Sequence, residues 1–200
     1  MTKHSVSIFV LIAAAAAALF GVTCVHSYNR LVTRDQDVTA QWAQVENDYQ
    51  RRADLVPNLV ETVRGASAFE RETLERVTEA RSRLGQAKLP AEALTDPEKF
   101  RAYQAAQDQL GGALGHLIAV AEQYPQLTAT QGYRDLQAQL EGTENRIAVA
   151  RMRFNEAARD YNTARATFPT TLVAHLFGRF AEHPYFAATP GAAEPPKVKF

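Results

Sequence analysis

The chain has 200 residues, and 46% of them are apolar, which is enough to build one sizeable core and argues against a disordered protein. Lysine plus arginine number 22, as do aspartate plus glutamate, so the totals favour neither a basic face for nucleic acid nor an acidic field for cationic ligands. Cys24 is the only cysteine, which excludes an intrachain disulfide and a cysteine-based metal site.

Near the N-terminus lies an apolar segment, residues 6–25, that contains no charged residue. A helix of about this length crosses the ~30 Å hydrocarbon layer of a bilayer, so the sequence predicts one transmembrane anchor after a short flank, residues 1–5. A cleaved signal peptide is one alternative, but the A-x-A triplets lie only inside the alanine run, without a polar region before them. Lipidation at Cys24 is another, although Thr23 is a poor match to the small residue that usually precedes a lipoprotein cysteine.

A heptad pattern follows the anchor and predicts a first long helix. Because the pattern starts only six residues after Val25, we expect the anchor and this helix to be nearly continuous. Pro57 lies inside the helix, where it removes the hydrogen bond to the carbonyl of Ala53 and should produce a kink. The seam positions, with two polar members, are Leu31, Asp35, Val38, Trp42, Val45, Tyr49, Arg52, Val56, Leu59, Val63 and Ala66.

Two further helices are predicted between residues 67 and 124. Ser67 and Glu70 have the spacing of a capping box, which would begin a second helix that runs to about Ala87. A loop over residues 88–97 follows, and Thr95 or Asp96 is expected to cap the third helix. Its apolar stripe, which ends before Pro125, consists of Phe100, Tyr103, Leu110, Leu114, Leu117, Ala121 and Tyr124.

Polar and small residues interrupt the stripe of the third helix. Gln107 occupies one position of the stripe itself. Gly111, Gly112 and Gly115 superficially resemble a phosphate-binding loop, but they lie inside a predicted helix and do not follow a strand. We therefore expect these glycines to allow close contact with a neighbouring helix.

The fourth predicted helix has the most regular pattern and ends at the Phe168-Pro169 step. Four amphipathic helices cannot leave their stripes exposed, so the sequence predicts an all-α fold, an antiparallel bundle of about four long helices over residues 28–183. The seam of the fourth helix consists of Ala129, Tyr133, Leu136, Leu140, Thr143, Ile147, Ala150, Phe154, Ala157, Tyr161, Ala164 and Phe168.

A short helix is predicted over residues 170–180, followed by a tail over residues 184–200. We expect the helix to pack as a lid on the end of the bundle; the alternative is an interfacial helix that lies on the membrane surface. Four prolines and one glycine make the tail extended or disordered. The apolar side of the short helix is expected to contain Leu172, Val173, Leu176, Phe177 and Phe180.

Arg52 is the most unusual member of the first seam, because a charged side chain at a core position needs a partner. If the first and fourth helices are antiparallel, Arg52 lies level with Thr143, and Glu144 is the nearest acid. The sequence therefore predicts a polar layer of Arg52, Thr143 and Glu144 across the bundle. The alternative is that Arg52 extends to solvent along its aliphatic stem.

No pattern in the sequence predicts catalytic, cofactor-binding or metal-binding residues. The five histidines are scattered without the spacing of a helical zinc site. Ser67 and Ser82 lack the surroundings of an activated serine. We therefore expect a protein that is not an enzyme and that binds no cofactor or metal ion.

Several short strings resemble the LemA family of bacterial proteins. The most specific are RRADLVPNLV at 51–60 and ENRIAVAR at 144–151; YNRLV at 28–32, EQYP at 122–125, YN at 161–162, FP at 168–169 and PKVKF at 196–200 follow the same order. The resemblance implies a bacterial membrane-anchored helical bundle from a family without an established enzymatic activity or cofactor. It also implies either a transmembrane anchor or a lipoprotein cysteine just before the Tyr-Asn pair.

These observations favour a single-pass protein of the bacterial plasma membrane. The leading prediction is a membrane-tethered, non-enzymatic interaction or scaffold protein of the cell envelope, with a protein partner and without nucleic acid. One alternative is a protein that binds or shapes the membrane surface through residues 170–180. The least favoured alternative is an uncharacterised hydrolase that uses carboxylates of the polar layer.

Overall fold

The computed structural model describes residues 3–65, 70–87 and 89–187, and within these ranges all the regular secondary structure is helical, without a strand. Side chains are described from residue 9 onward. The helices are α1 (Lys3–Arg64), α2 (Arg71–Gln86), α3 (Pro97–Ala121), α4 (Pro125–Thr128), α5 (Gln131–Ala166) and α6 (Thr170–Phe177), with a short 3₁₀ turn at Ala91–Ala93.

The anchor and the first seam form one helix, α1, of 62 residues, as the sequence predicted. The large apolar side chains of the anchor, from Phe9 to Val25, are 59–75% exposed. From Leu31 to Val63 the predicted seam is buried, apart from Asp35, which is half-buried, and its last member, Ala66, lies outside the described residues. α1 is the one helix among the described residues that is long and apolar enough to cross a membrane, and a window of 18 residues in its apolar part has a mean hydropathy of 2.2. A single helix therefore joins the exposed apolar segment of the anchor to the packed core.

Pro57 lies within α1, and the helix continues past it to Arg64. The carbonyl of Ala53, which the proline leaves without its helical donor, accepts a hydrogen bond from Nε of Arg81 on α2 at 3.2 Å. The acceptor that the proline was predicted to leave free thus has Arg81 as its donor. This contact joins α2 to the middle of α1.

α1 and α5 run antiparallel along most of the bundle. Near the anchor, Arg34 is 3.6 Å from Asp160, and further along α1 Arg52 is 3.0 Å from Glu144. Residue numbers therefore rise on one helix as they fall on the other. Polar and charged groups at these crossings fix the register between the two longest helices.

The buried apolar side chains form two clusters along the molecule. The cluster nearer the anchor includes Trp42, Phe100 and Phe154, contributed by α1, α3 and α5. The cluster at the far end includes Val63, Leu117 and Tyr133, from the same three helices, and also residues of α2. The gap between the clusters is where the predicted polar layer lies.

Of the predicted helix starts, that of α3 follows its capping signal. The side chain of Asp96 caps α3 by accepting hydrogen bonds from the backbone N–H groups of Glu98 and Lys99. Thr130 caps α5 through Tyr133, and a separate short α4 precedes it, whereas the fourth predicted helix was expected to begin at residue 129 without a helix of its own before it. Glu70 makes no side-chain cap at the start of α2, and Ser67 of the predicted capping box lies outside the described residues.

The short C-terminal helix differs from the prediction in length and in orientation. α6 ends at Phe177 because Gly178 adopts a left-handed conformation, with φ of 63°, and its N–H bonds to the carbonyl of Ala174. Val173 and Phe180 are buried, but the remaining members of the predicted apolar side are exposed, so the five residues do not share one face. These exposed residues are Leu172, Leu176 and Phe177.

Residues 178–187, which we call the C-terminal strap, have no regular secondary structure but pack along the bundle. The predicted tail from residue 184 has no regular secondary structure as far as residue 187, and Phe186 is buried there. The composition of the tail did not predict this burial, which the large apolar area of the phenylalanine ring explains. The part of the predicted tail after residue 187 lies outside the described residues.

Candidate functional site: a polar layer and a C-terminal strap

Arg52 lies at the centre of a polar layer between the two apolar clusters, and it is only 2% exposed. Its Nη1 donates to Oε1 of Glu144 at 3.0 Å, which confirms the predicted partner. Its Nη2 donates to the backbone carbonyl of Gln107 at 2.9 Å and to the side-chain Oε1 of the same residue at 2.6 Å. The guanidinium therefore ties α1 to both α5 and α3, and the expected alternative of a solvated arginine is wrong.

The third predicted member of the layer, Thr143, is buried but does not contact Arg52 through a hydrogen bond. Its hydroxyl donates to the carbonyl of Gln139 and accepts from Arg146 at 2.8 Å. Arg146 in turn lies 3.5 Å from the carboxylate of Asp48, which is buried on α1. Thr143 thus supports a second pairing between α1 and α5, one turn from Arg52.

A third ion pair completes the layer. Arg151 of α5 donates through Nε to the hydroxyl of Tyr49 at 2.6 Å and through Nη2 to the carboxylate of Asp108 at 2.8 Å. The guanidinium groups of Arg52 and Arg151 lie 5.3 Å and 5.4 Å from the centre of the Tyr49 ring, where the π-face attracts cations. Tyr49 therefore contacts both arginines that link the three helices.

Gln107 is the main residue of the layer that the sequence prediction omitted. It was seen only as a break in the stripe of α3, yet its side chain accepts from Arg52 and donates to the hydroxyl of Tyr103 at 2.9 Å. The signal in the sequence was that Gln107 and Arg52 are both polar residues at core positions of their helices. Two such interruptions on different helices predict a pair when the helix register is known.

The glycines of α3 have different surroundings. A Cβ added to Gly111 would lie 3.3 Å from Nη1 of Arg52, so this glycine leaves space for the buried guanidinium. Nothing lies within 4 Å of a Cβ added to Gly112 or Gly115. The expectation of close helix contact is wrong at these two positions, and at Gly111 the contact is with a side chain.

The three arginines of the layer balance its three acids, Asp48, Asp108 and Glu144. Paired in this way, the carboxylates hold neighbouring arginines in place, and the arrangement fixes the register of α1, α3 and α5. In the part of the chain that the structure describes, no group of three His, Cys, Asp or Glu residues is placed to hold a metal ion.

Burial raises the pKa of Tyr49 to about 12, against the opposing effect of Arg151, and burial together with the charge of Asp35 raises the pKa of Tyr161 to about 12. Because the pKa of each tyrosine is higher in the folded state, the unfolded chain loses the phenolic proton at lower pH than the folded chain does. The contribution of the two tyrosines to stability is therefore complete below pH ~10 and is lost as the pH rises towards 12.

We expect the free energy of unfolding to fall between pH 10 and 12 by up to about 1.4 kcal/mol per pH unit for each of these tyrosines. Tyr49→Phe should make this fall shallower. The measurement is urea unfolding at a series of pH values, followed by the fluorescence of Trp42, the only tryptophan. Equal slopes in the variant and the native chain would contradict the assignment to Tyr49.

The C-terminal strap is held by two asparagines of α5 that lie two turns apart. The side-chain amide of Asn162 donates to the carbonyl of His183 at 2.8 Å and accepts from its N–H at 3.0 Å. Asn155 makes the same pair of bonds with Phe186, at 3.1 Å and 2.9 Å. Each amide thus binds the backbone of the strap as a neighbouring β-strand would.

The same two residues of the strap also bury their side chains in the bundle. Phe186 packs among three aromatic rings of the anchor-side cluster, with ring centres 4.8 Å from Phe100, 5.3 Å from Phe154 and 6.3 Å from Trp42. His183 is buried, and its Nε2 lies 2.8 Å from the carboxylate of Asp35. Asp35, the first polar interruption of the α1 seam, is therefore the partner of the strap.

The sequence of the chain matches a known protein family and several related proteins. The sequence profile described as the LemA family matches residues 41–200. The chain is 28% identical to the magnetosome protein MamQ of Magnetospirillum gryphiswaldense, over 98% of this chain and 77% of that protein. It is 28% identical to magnetosome protein MamQ 1 of Paramagnetospirillum magneticum, over 96% and 76%, and 25% identical to protein LemA of Metamycoplasma hominis, over 83% and 72%.

Proposed function

The chain belongs to the LemA family, and we propose that it is a membrane-tethered, non-enzymatic scaffold or interaction protein of a bacterial envelope. The observation that carries the proposal is the continuity of α1, whose exposed apolar end passes directly into the seam of the packed bundle. In the proposed placement, residues 6–25 cross the plasma membrane once and the antiparallel helices stand beside it. The similarity to two magnetosome proteins supports a place at a membrane.

The polar layer supports a scaffold more than it supports a hydrolase. The acids of the layer contact arginines, and Arg52 and Arg151 also bind the backbone of α3 or a tyrosine hydroxyl. A general acid or base needs access to a substrate proton, whereas these groups are engaged in holding three helices in register. A rigid bundle of this kind presents its outer helical faces at fixed positions.

The proposed protein partner would meet an exposed face of α5, where Val149 and Met152 lie three residues apart and are 44% and 52% exposed. A photo-crosslinking amino acid at Met152 should give discrete adducts in intact bacterial membranes. The same group at Phe154, which is fully buried, is the matched control and should give none. Repeated recovery of the chain alone from Met152 would contradict a scaffold that engages another protein.

The anchoring itself has a separate test. The full chain should resist alkaline extraction from membranes, and a variant without residues 6–25 should be released into the soluble fraction. Protease treatment of intact cells and of broken cells then identifies the side of the membrane that exposes the bundle. Extraction of the full chain at high pH would contradict a single-pass anchor.

A further inference from the structure

α6 lies at the end of the bundle from which the anchor emerges. The ring of Phe177 is 5.0 Å from that of Tyr28, and Phe180 is 5.5 Å from the same ring. Arg179 donates to the hydroxyl of Tyr28 at 2.9 Å. Tyr28 follows Val25 by three residues, which is about 5 Å along a helix, so α6 sits at the level where the proposed transmembrane segment ends.

α6 buries one face and leaves the other without cover. Thr170, Val173 and Ala174 pack against α1 and α5. Leu172, Leu176 and Phe177 are 51%, 74% and 52% exposed, and Phe168, just before the helix, is 74% exposed. Four of the seven large apolar side chains that are exposed in the described part of the chain after Val25 therefore lie between residues 168 and 177. They form a patch, which we call the α6 patch.

The α6 patch continues an apolar surface that begins on the anchor. Val22 and Val25, within two turns of Tyr28, are 69% and 62% exposed, so the apolar surface of the anchor ends close to the level of the patch. The exposed residues at this boundary are polar or charged. Among these, Arg30 and Arg179 are exposed cations. Arg179 lies over the rings of Tyr28 and Phe180, which is the mixture of aromatic and cationic groups typical of a membrane–water interface.

The acids of this end of the molecule lie further from the anchor. Asp35 binds His183 about two turns beyond Tyr28, and Glu182 precedes that histidine on the C-terminal strap. Arg30 and Arg179 therefore stand closer to the end of the anchor, where the phosphates of lipid headgroups would lie. This order of charges suits a bilayer surface.

We infer that the α6 patch is inserted into the interface of the same bilayer that holds the anchor, with lipid acyl chains covering Phe168, Leu172, Leu176 and Phe177. An isolated helix of eight residues has too little apolar area to hold lipid. α6 is attached to α1, however, so it meets the bilayer at high effective concentration and no separate binding event is required. The inference rests on the proposed anchoring of α1.

The test uses the full chain with Cys24→Ser, reconstituted into vesicles of equal parts phosphatidylcholine and phosphatidylglycerol. A single cysteine carrying an environment-sensitive fluorophore is placed at Leu176 in one variant, at Leu19 in the anchor in a second, and at Met152 in a third. Spin-labelled lipids quench a fluorophore that lies in the acyl region. We expect strong quenching at positions 19 and 176 and quenching several-fold weaker at position 152, which is exposed far from the anchor.

The outcomes separate the two proposals. Quenching at position 19 with none at 176 would overturn the α6 inference and leave the anchor in place; no quenching at position 19 would overturn the anchor. A fluorophore at 176 that is shielded from aqueous iodide but not quenched by lipid would mean that a second copy of the chain covers the patch, which also contradicts the inference.

A charge placed in the patch gives a second measurement. With the fluorophore at Leu172, the substitutions Leu176→Glu and Phe177→Glu should lower its lipid quenching to the level of position 152. Because both side chains are more than half exposed, the fold should be retained, as circular dichroism can verify. Unchanged quenching at 172 would contradict the inference, and a fluorophore at Leu19 should not respond to these substitutions.

Discussion

Arg52→Ala should lower the free energy of unfolding by about 3 kcal/mol, through loss of a buried charged hydrogen-bond donor and the cavity that it leaves. The variant removes the guanidinium that binds Glu144 and both acceptors of Gln107. Glu144 is 44% exposed in its side chain, so water can take the place of the lost cation. Most of the loss should therefore come from the buried carbonyl and amide of Gln107.

The matched control is Arg51→Ala, one residue earlier on the exposed side of α1, which should change the free energy of unfolding by less than about 0.5 kcal/mol. Urea titration of the full chain in detergent, followed by Trp42 fluorescence, measures both variants. Arg52→Met keeps much of the buried volume without the charge and should cost less than Arg52→Ala. Equal and small effects of Arg52→Ala and Arg51→Ala would contradict a structural role for the layer.

Phe186→Ala should lower the free energy of unfolding by about 3 to 5 kcal/mol, the range for truncation of a buried aromatic side chain. Phe186 contacts the rings of Trp42, Phe100 and Phe154, so its loss opens a cavity inside the anchor-side cluster. The strap should then detach more readily from α5. Amide hydrogen exchange at the N–H of Phe186, which bonds to Asn155, should become faster.

Tyr185→Ala is the control for the strap, because that ring is 43% exposed and contributes little apolar burial. Its expected cost is about 1 kcal/mol or less, mainly from the hydrogen bond that its hydroxyl accepts from Asn162. Similar losses from Tyr185→Ala and Phe186→Ala would show that the strap acts as a surface segment and not as part of the core.

The long helices could be predicted because their stabilising contacts repeat along the sequence. A seam that alternates spacings of three and four specifies one buried face, and α1, α3 and α5 bury the residues of that face with few exceptions. Arg52 was identifiable for the same reason, since a charge at a seam position requires a partner. Its acid partner followed from the antiparallel register of α1 and α5.

The strap could not be predicted in the same way. Asn155 and Asn162 bind backbone atoms of the strap. Every residue has these backbone groups, so the sequence of the strap carries no pattern that would indicate the contact. The four prolines between residues 184 and 200 are typical of segments that build no core, although one phenylalanine among them is buried. The boundary of α6 depended on the left-handed conformation of Gly178, a single local event.

Because α1 is one unbroken helix, a tilt of its membrane segment would also move the far end of the bundle. From residue 26 to the end of α1 the helix extends about 58 Å beyond the proposed membrane boundary, and the bundle is built on that length. A helix adapts to a thinner or thicker bilayer by changing its tilt, and a change of about 10° would displace the far end by about 10 Å. A change in bilayer thickness would therefore move the surface at the far end of the bundle relative to the membrane.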